Sequence, residues 1–195
     1  PRSEGGNAFT HFDADTGIPI RNFFTRLAFS LRFADVNLLI SEELSPESQL
    51  LWRRNIRERV QEVAPFLRFD SDAYIVIGDD GRLFWFMDAY TLSTRFPYSE
   101  PSRVGTATIP PGFNYIRNSV KIVIDAYTGE MKFYVVDENE PIIAAYRKIF
   151  PALFSDYATM PADHKAHIRY PTDLFSIQAN TFLTYQKTDP KDLYN

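Results

Sequence analysis

The sequence predicts an α+β domain: a mainly antiparallel sheet of about four strands, built from two hairpins and flanked by N-terminal and C-terminal helices. Three observations predict it. Apolar residues recur at helical spacing in the first third and the last third of the chain, and at strand spacing between them. Two turn signals, Gly78-Asp79-Asp80-Gly81 and Tyr127-Thr128-Gly129-Glu130, each divide a pair of apolar β-type runs. Two of those runs, 83–91 and 120–128, end in the same four residues, Asp-Ala-Tyr-Thr.

Taken in order, residues 1–17 are rich in Gly and Asp without any period, which reads as a tail or linker, and 18–195 then form a single domain. Ile20, Phe23, Phe24, Leu27 and Leu31 have helical spacing, with Arg21, Thr25, Arg26, Ser30 and Arg32 elsewhere around the axis. Such a stripe fits a helix packed on a sheet and also an interfacial membrane helix, and packing is the expectation. Phe29 and Phe33 project from the polar side, four residues apart, and can pair along the helix. With Arg26 they make one candidate interaction surface. Ser45-Pro46-Glu47 has the residues of a capped helix start, so a second helix is expected to bury Trp52, Ile56, Val60 and Val63 and to stop at Pro65.

The first hairpin runs from 73–77 through the Gly78–Gly81 turn into 82–90. Its return strand is apolar on both faces, with Leu83, Trp85 and Met87 on one and Phe84 and Phe86 on the other, which places it centrally in the sheet. Residues 93–111 form a long proline-marked loop, a kind that is usually functional or mobile, and its Phe96 and Tyr98 join the candidate interaction surface. The second hairpin joins 120–125 to 131–137. Glu140-Pro141 then opens a helix with Ile142, Tyr146, Ile149 and Phe150 inward, stopped by Pro151. A short helix follows around 161–168. Pro171 opens the last helix, which buries some of Leu174, Phe175, Ile177, Phe182 and Tyr185.

The repeated Asp-Ala-Tyr-Thr has a structural explanation in turn chemistry. An Asp at a strand exit can accept the backbone N–H two residues on. Asp88 and Asp125 are therefore expected as turn-forming strand terminators, together with Gly81 and Gly129, with Tyr90 and Tyr127 at the sheet margin and their hydroxyls toward water. The alternative makes Asp88 and Asp125 a carboxylate pair for acid–base work or cation binding.

Composition narrows the classes. At 195 residues the chain can bury most of its apolar surface, and its 15% aromatic content supplies rings for a core and for a binding face. A net charge of -4 argues against nucleic acid as a partner. The absence of cysteine removes disulfides, thiolate catalysis and cysteine zinc sites. No run approaches the roughly 18 apolar residues of a membrane span, so this stretch is expected to be soluble. It opens without an initiator Met or a signal pattern, and Pro1-Arg2-Ser3-Glu4-Gly5-Gly6-Asn7 reads as the cut edge of a longer protein. Asp163, His164 and His167 could share a short helix face and hold zinc, but they read more simply as a helix start with two exposed histidines. Asp13-Ala14-Asp15-Thr16-Gly17 lacks the later Glu of a calcium loop, and there is no phosphate-cradling glycine loop, no Gly-x-Ser-x-Gly and no His-Glu-x-x-His. No catalytic residue, metal site or cofactor is assigned.

Four stretches together resemble a known family: Phe96-Pro97-Tyr98-Ser99-Glu100-Pro101; the run from Asn114-Tyr115-Ile116-Arg117 through Asp125-Ala126-Tyr127; Tyr146-Arg147-Lys148-Ile149-Phe150-Pro151; and Arg169-Tyr170-Pro171-Thr172-Asp173-Leu174-Phe175. They resemble the prokaryotic membrane proteins of uncharacterised protein family 0182. The resemblance implies several membrane-spanning helices N-terminal to a large soluble region outside the cytoplasm, of which this chain would be a piece. It brings no established activity and no catalytic residues. The hairpin at 125–136 is also similar to those of PepSY domains. From the resemblance and the motifs together, the expected function is that of a non-enzymatic, extracytoplasmic binding or protein-interaction domain, tethered to the cell membrane. Its expected partners are other parts of its own protein or another envelope protein, and not nucleic acid. The alternatives are an envelope-acting hydrolase with unidentified carboxylates and a structural oligomerisation domain.

Overall fold

The computed structural model describes residues 12–41, 44–186, 189 and 191. Most of the expected tail, with His11, lies outside the described residues. The chain groups into two compact units, Pro1–Arg54 and Asn55–Asn195.

In the first unit, β1 (Ile18–Pro19) precedes α1 (Phe23–Phe33) and α2 (Asn37–Ile40), and β2 (Gln49–Leu50) returns antiparallel to β1. α1 ends where Ala34 turns left-handed at φ 54° and its N–H closes on the Ser30 carbonyl. The Phe29 and Phe33 rings stack at 5.9 Å, and Trp52 lies edge-on against both, at 5.6 and 6.3 Å. Arg26 donates to the carbonyls of Ile20 (2.9 Å) and Leu44 (3.2 Å). This three-ring contact and the Arg26 ties set the helix's rotation, so of the predicted inward stripe Ile20 is buried and Leu27 half-buried, while the rest faces outward. Phe23, Phe24 and Leu31 are 64%, 80% and 75% exposed.

The second predicted helix starts ten residues late. Ser45-Pro46-Glu47 makes a turn instead, closed by the Ser48 N–H on the Ser45 carbonyl at 3.0 Å. A Ser-Pro pair serves a tight turn as readily as a helix start, and Arg53 at φ 55° cannot lie inside a helix. The true cap is Asn55, whose side chain accepts the Arg57 N–H at 3.0 Å. α3 (Ile56–Val63) therefore buries Val60 but leaves Val63 exposed, and Pro65 follows its end.

The second unit continues through β3 (Arg68–Phe69), β4 (Tyr74–Ile77), β5 (Leu83–Ser93), β6 (Tyr115–Asp125) and β7 (Met131–Val135). After these come α4 (Pro141–Ile149), β8 (Phe154–Asp156), a single 3₁₀ turn at Tyr157–Thr159, α5 (Ala162–Ala166) and α6 (Thr172–Tyr185). Both predicted hairpins are present, β4–β5 and β6–β7, joined antiparallel through β5 and β6. The sheet has six strands rather than four, because β3 adds to β5 and β8 adds parallel to β7. Those two strands are two and three residues long, too short to carry an alternating pattern.

Strand alternation divides the core. On one face Met87, Ala89, Ile122, Ile124 and Phe133 pack against Val60 of α3 and Ile143 of α4. On the other, Phe86, Val123 and Tyr134 pack with Met160, and Tyr90 packs with Ile109, Phe113 and Ile177 of α6. The register slips between Ala89 and Tyr90, leaving Ser119 as an extra residue in β6. In α4 the buried position is Ile143 rather than Ile142, and Ile149 is exposed. The Glu140 carboxylate accepts the N–H groups of Ile142 (3.2 Å) and Ile143 (2.6 Å), which fixes the rotation of that helix. In α6 Ile177 is buried, while Phe175, Phe182 and Tyr185 are exposed.

Gly81 and Gly129 have nearly the same backbone φ, 78° and 77°. A Cβ at Gly81 would meet nothing within 4 Å, whereas at Gly129 it would run into the Arg59 guanidinium. Gly81→Ala should therefore lose only the left-handed penalty of about 1–2 kcal/mol. Gly129→Ala should lose about the same, because the Arg59 guanidinium it meets is the end of a flexible side chain that can shift. Urea unfolding midpoints compare the two, and a loss at Gly129 well beyond that at Gly81 would contradict this packing.

Candidate functional site

The first Asp-Ala-Tyr-Thr does not end a strand. Asp88 lies inside β5 and is buried, because Thr91, Leu92 and Ser93 continue the pairing opposite Arg117, Ile116 and Tyr115. That part of β6 falls before the predicted strand start at residue 120. Opposite Asp88 stands Lys121, also buried, and the two form an ion pair. Asn118 Nδ2 donates to the same carboxylate at 2.8 Å, and Lys121 Nζ reaches the Arg169 carbonyl at 3.4 Å. Burial pushes the Asp88 carboxyl upward, against the pull of Lys121 and Asn118. Tyr90 is not at the sheet margin either. It is fully buried and its hydroxyl donates to Asp70, so burial and that bond both raise its pKa.

The second copy is a turn. Asp125 Oδ1 accepts the N–H groups of Tyr127 and Thr128, both at 2.8 Å, and the Gly129 N–H closes on the Asp125 carbonyl. Burial pushes this carboxyl up, but those two N–H groups and Arg82 outweigh it and hold the carboxyl below its ordinary value. Asp88 and Asp125 do not meet, since their cross-strand partners are Lys121 and Phe84.

A second buried pair of carboxylates lies beside Tyr90. Asp70, just past β3, accepts the N–H of Asp173 at 2.9 Å and of Asp72 at 2.8 Å, as well as the Tyr90 hydroxyl. Asp173, in the first turn of α6, accepts the Ser71 N–H (2.8 Å), the Ser71 hydroxyl (2.9 Å) and the Thr108 hydroxyl (2.7 Å). Each carboxylate thus binds the main chain beside the other, and Asp173 also ties down the long loop. The negative charge at the start of α6 suits the helix dipole.

That tie, with Ile109 buried under Tyr90, fixes the inner side of the loop. The outer side is held by Asn114, whose side chain accepts the Phe96 N–H (3.0 Å) and donates to the Phe96 (2.9 Å) and Ser99 (3.1 Å) carbonyls. Ser102 and Phe113 close the loop's neck at 2.7 Å. The predicted loop is therefore long but internally bonded. Phe96 stacks on Tyr115 at 5.4 Å, and Tyr98 is fully exposed at φ 57°.

Between this loop, the end of β5 and the residues before β4 runs an open groove of about 400 Å³. Arg68 and Arg95 line it with Ser93 and Thr94, and Phe66, Leu92, Phe113 and the Pro110-Pro111 pair form its apolar wall. Neither acid nor base pairs face each other there. Elsewhere His164 is buried edge-on against Phe84, while His167 is exposed with Nδ1 on the Asp163 carbonyl at 2.8 Å. Sequence reasoning missed Asp70, Lys121 and Asp173. One signal was available: a lysine inside the run Val120-Lys121-Ile122-Val123-Ile124 needs a buried anion.

The model of the uncharacterised protein family UPF0182 matches residues 1–195. A UPF0182 protein of Trichodesmium erythraeum is 47% identical over the whole chain, which covers 22% of that relative. One from a Sulfurovum species is 48% identical over 97% of the chain and 20% of the relative, and one from Methanospirillum hungatei is 44% identical over 97% and 21%. The chain thus spans about a fifth of the length of the relatives it matches. No solved structure gives a significant match.

Lys121→Met should destabilise the fold by about 3–5 kcal/mol, since it leaves a buried carboxylate uncompensated. Adding Asp88→Asn should recover much of that loss. The Asp88 pKa is raised by burial, so the deficit of the single variant is relieved toward acid, where Asp88 is protonated, and grows as pH rises through the raised pKa. Denaturant unfolding between pH 4 and pH 8 measures both effects, and a pH-independent deficit would contradict the pairing.

Proposed function

This chain belongs to the uncharacterised protein family UPF0182, and from that premise we propose that it is a non-catalytic binding or protein-interaction domain of a longer, membrane-tethered protein. The observation that carries this reading is how the buried ionisable groups are used. Asp88, Lys121, Asp70 and Asp173 are bonded to one another or to main chain and hydroxyls, as structural ties. Catalytic carboxylates instead keep an accessible face toward a substrate. The rigid, open groove beside the loop is the kind of feature a binding domain presents.

The exposed Phe23, Phe24 and Leu31 support contact with further polypeptide, either another part of the same protein or another envelope protein. No described helix is long and apolar enough to cross a membrane. The placement outside the cytoplasm is taken from the family resemblance alone.

Crosslinking and pulldown of the full-length protein from its own membrane, with and without this region, tests the proposal. The expected result is a protein partner captured only when the region is present. No partner, together with turnover of a peptidoglycan or peptide library that needs the region, would favour the hydrolase alternative instead.

A further inference from the structure

β3 pairs with β5 only at Arg68–Tyr90 and Phe69–Ala89. Beyond that point β5 continues through Ser93, and among the described residues no strand faces it on that side. The direction of its main-chain groups follows from its neighbours. The Asp88 carbonyl accepts the Asp70 N–H on the β3 side, and the Ser93 carbonyl accepts the Asn114 N–H on the β6 side. Groups alternate along a strand, so Leu92 turns its N–H and C=O away from β6, toward the groove. The groove therefore holds the open main-chain edge of β5 at Leu92, walled by Phe66 and the proline pair.

Its charge is one-sided. Arg68 and Arg95 lie on it and no carboxylate does, in a chain whose net charge is -4. The nearest described carboxylates, Asp70 and Asp173, are bonded to main chain and hydroxyls behind the groove wall, so the charged groups that line the groove itself are the two guanidinium groups. Arginine forks bind carboxylates in pairs of hydrogen bonds, and an open strand edge binds extended main chain.

We propose that the groove takes an extended acidic peptide segment, which adds as a strand to the open edge of β5 while Arg68 and Arg95 hold its carboxylates. Arg68 pairs with Tyr90 and so shares a sheet face with Leu92, whereas Phe66 packs on the opposite face, so acidic residues at every second position of such a segment face the arginines and the apolar ones between them face Phe66. The two prolines of the wall lack N–H groups and do not compete for the segment's carbonyls. The loop that carries them is held from below by Thr108 on Asp173, so the wall is preformed. This assignment rests on the binding-domain reading and specifies its ligand.

The test uses the full-length protein in detergent and fluorescence anisotropy with a labelled, end-blocked peptide of alternating glutamate and valine. Three comparisons are made: the lysine–valine counterpart, the same glutamate peptide N-methylated at alternate residues, and the R68E/R95E protein checked for an unchanged unfolding midpoint. Binding of the glutamate peptide, weakened roughly tenfold or more in each comparison, is the expected result. No binding of that peptide, or binding by the N-methylated peptide within about twofold of the parent, overturns strand addition without depending on any protein variant. Partner capture that needs this region but survives R68E/R95E overturns the groove assignment and leaves the binding-domain reading standing. Peptide binding that follows the expected pattern in a protein that captures no partner does the reverse.

Discussion

Asp70 and Asp173 are separated by about a hundred residues, and each accepts hydrogen bonds from the main chain beside the other. Desolvating a carboxylate costs several kcal/mol. Here each is met by three donors, main-chain N–H groups and hydroxyls. A hydrogen bond to a charged group contributes roughly 1.5–3 kcal/mol, so three offset the cost and the loss of one tips the balance. The exchange fixes three things at once: the path of the chain from β3 to β4, the start of α6, and the position of Thr108 in the long loop. The loop's inner wall and the groove it forms both follow from it.

The β5–β6 pair is the frame on which that exchange is mounted. Its inner face is apolar and packs against α3 and α4. Its outer face interrupts the apolar pattern with Asp88, Lys121 and Tyr90, placing a polar seam between two hydrophobic clusters. The slip at Ala89–Tyr90 accompanies a second polar patch on the α4 side of the sheet, where Ser119 bonds Thr91 at 2.7 Å and reaches Glu140, the cap of α4. Tyr115, whose hydroxyl donates to Glu140 at 2.8 Å, is pushed up to about 12 by burial and by that bond. Polar groups buried on both faces specify one register of the strands, as an apolar surface alone would not.

Much of the sheet was legible because its signals are local. The two turns have glycines at positive φ between apolar β-type runs, and the run after the first turn is apolar on both faces, so both hairpins and the central place of β5 followed from the sequence. The repeated Asp-Ala-Tyr-Thr shows where local reasoning stops. The four residues are the same, yet Asp125 meets the N–H groups of its own turn and Asp88 meets Lys121 on a neighbouring strand. Which of these an aspartate does depends on whether its strand goes on, and that depends on what pairs with it. α1 failed for a related reason: its buried side was chosen by Trp52, nineteen residues beyond the end of the helix. The Asp70–Asp173 exchange left no trace in any local window, since its two halves lie about a hundred residues apart in sequence.

Hydrogen exchange of the chain carrying Asp173→Asn tests the role of that exchange most directly. The substitution removes the charge and one acceptor while keeping the size of the side chain. The predicted result is faster exchange at residues 71–73 and through the loop from 102 to 113, with the β5 and β6 amides still protected. Unchanged exchange in the loop, or an equal rise across the whole sheet, would contradict the claim that this carboxylate holds the groove wall in place.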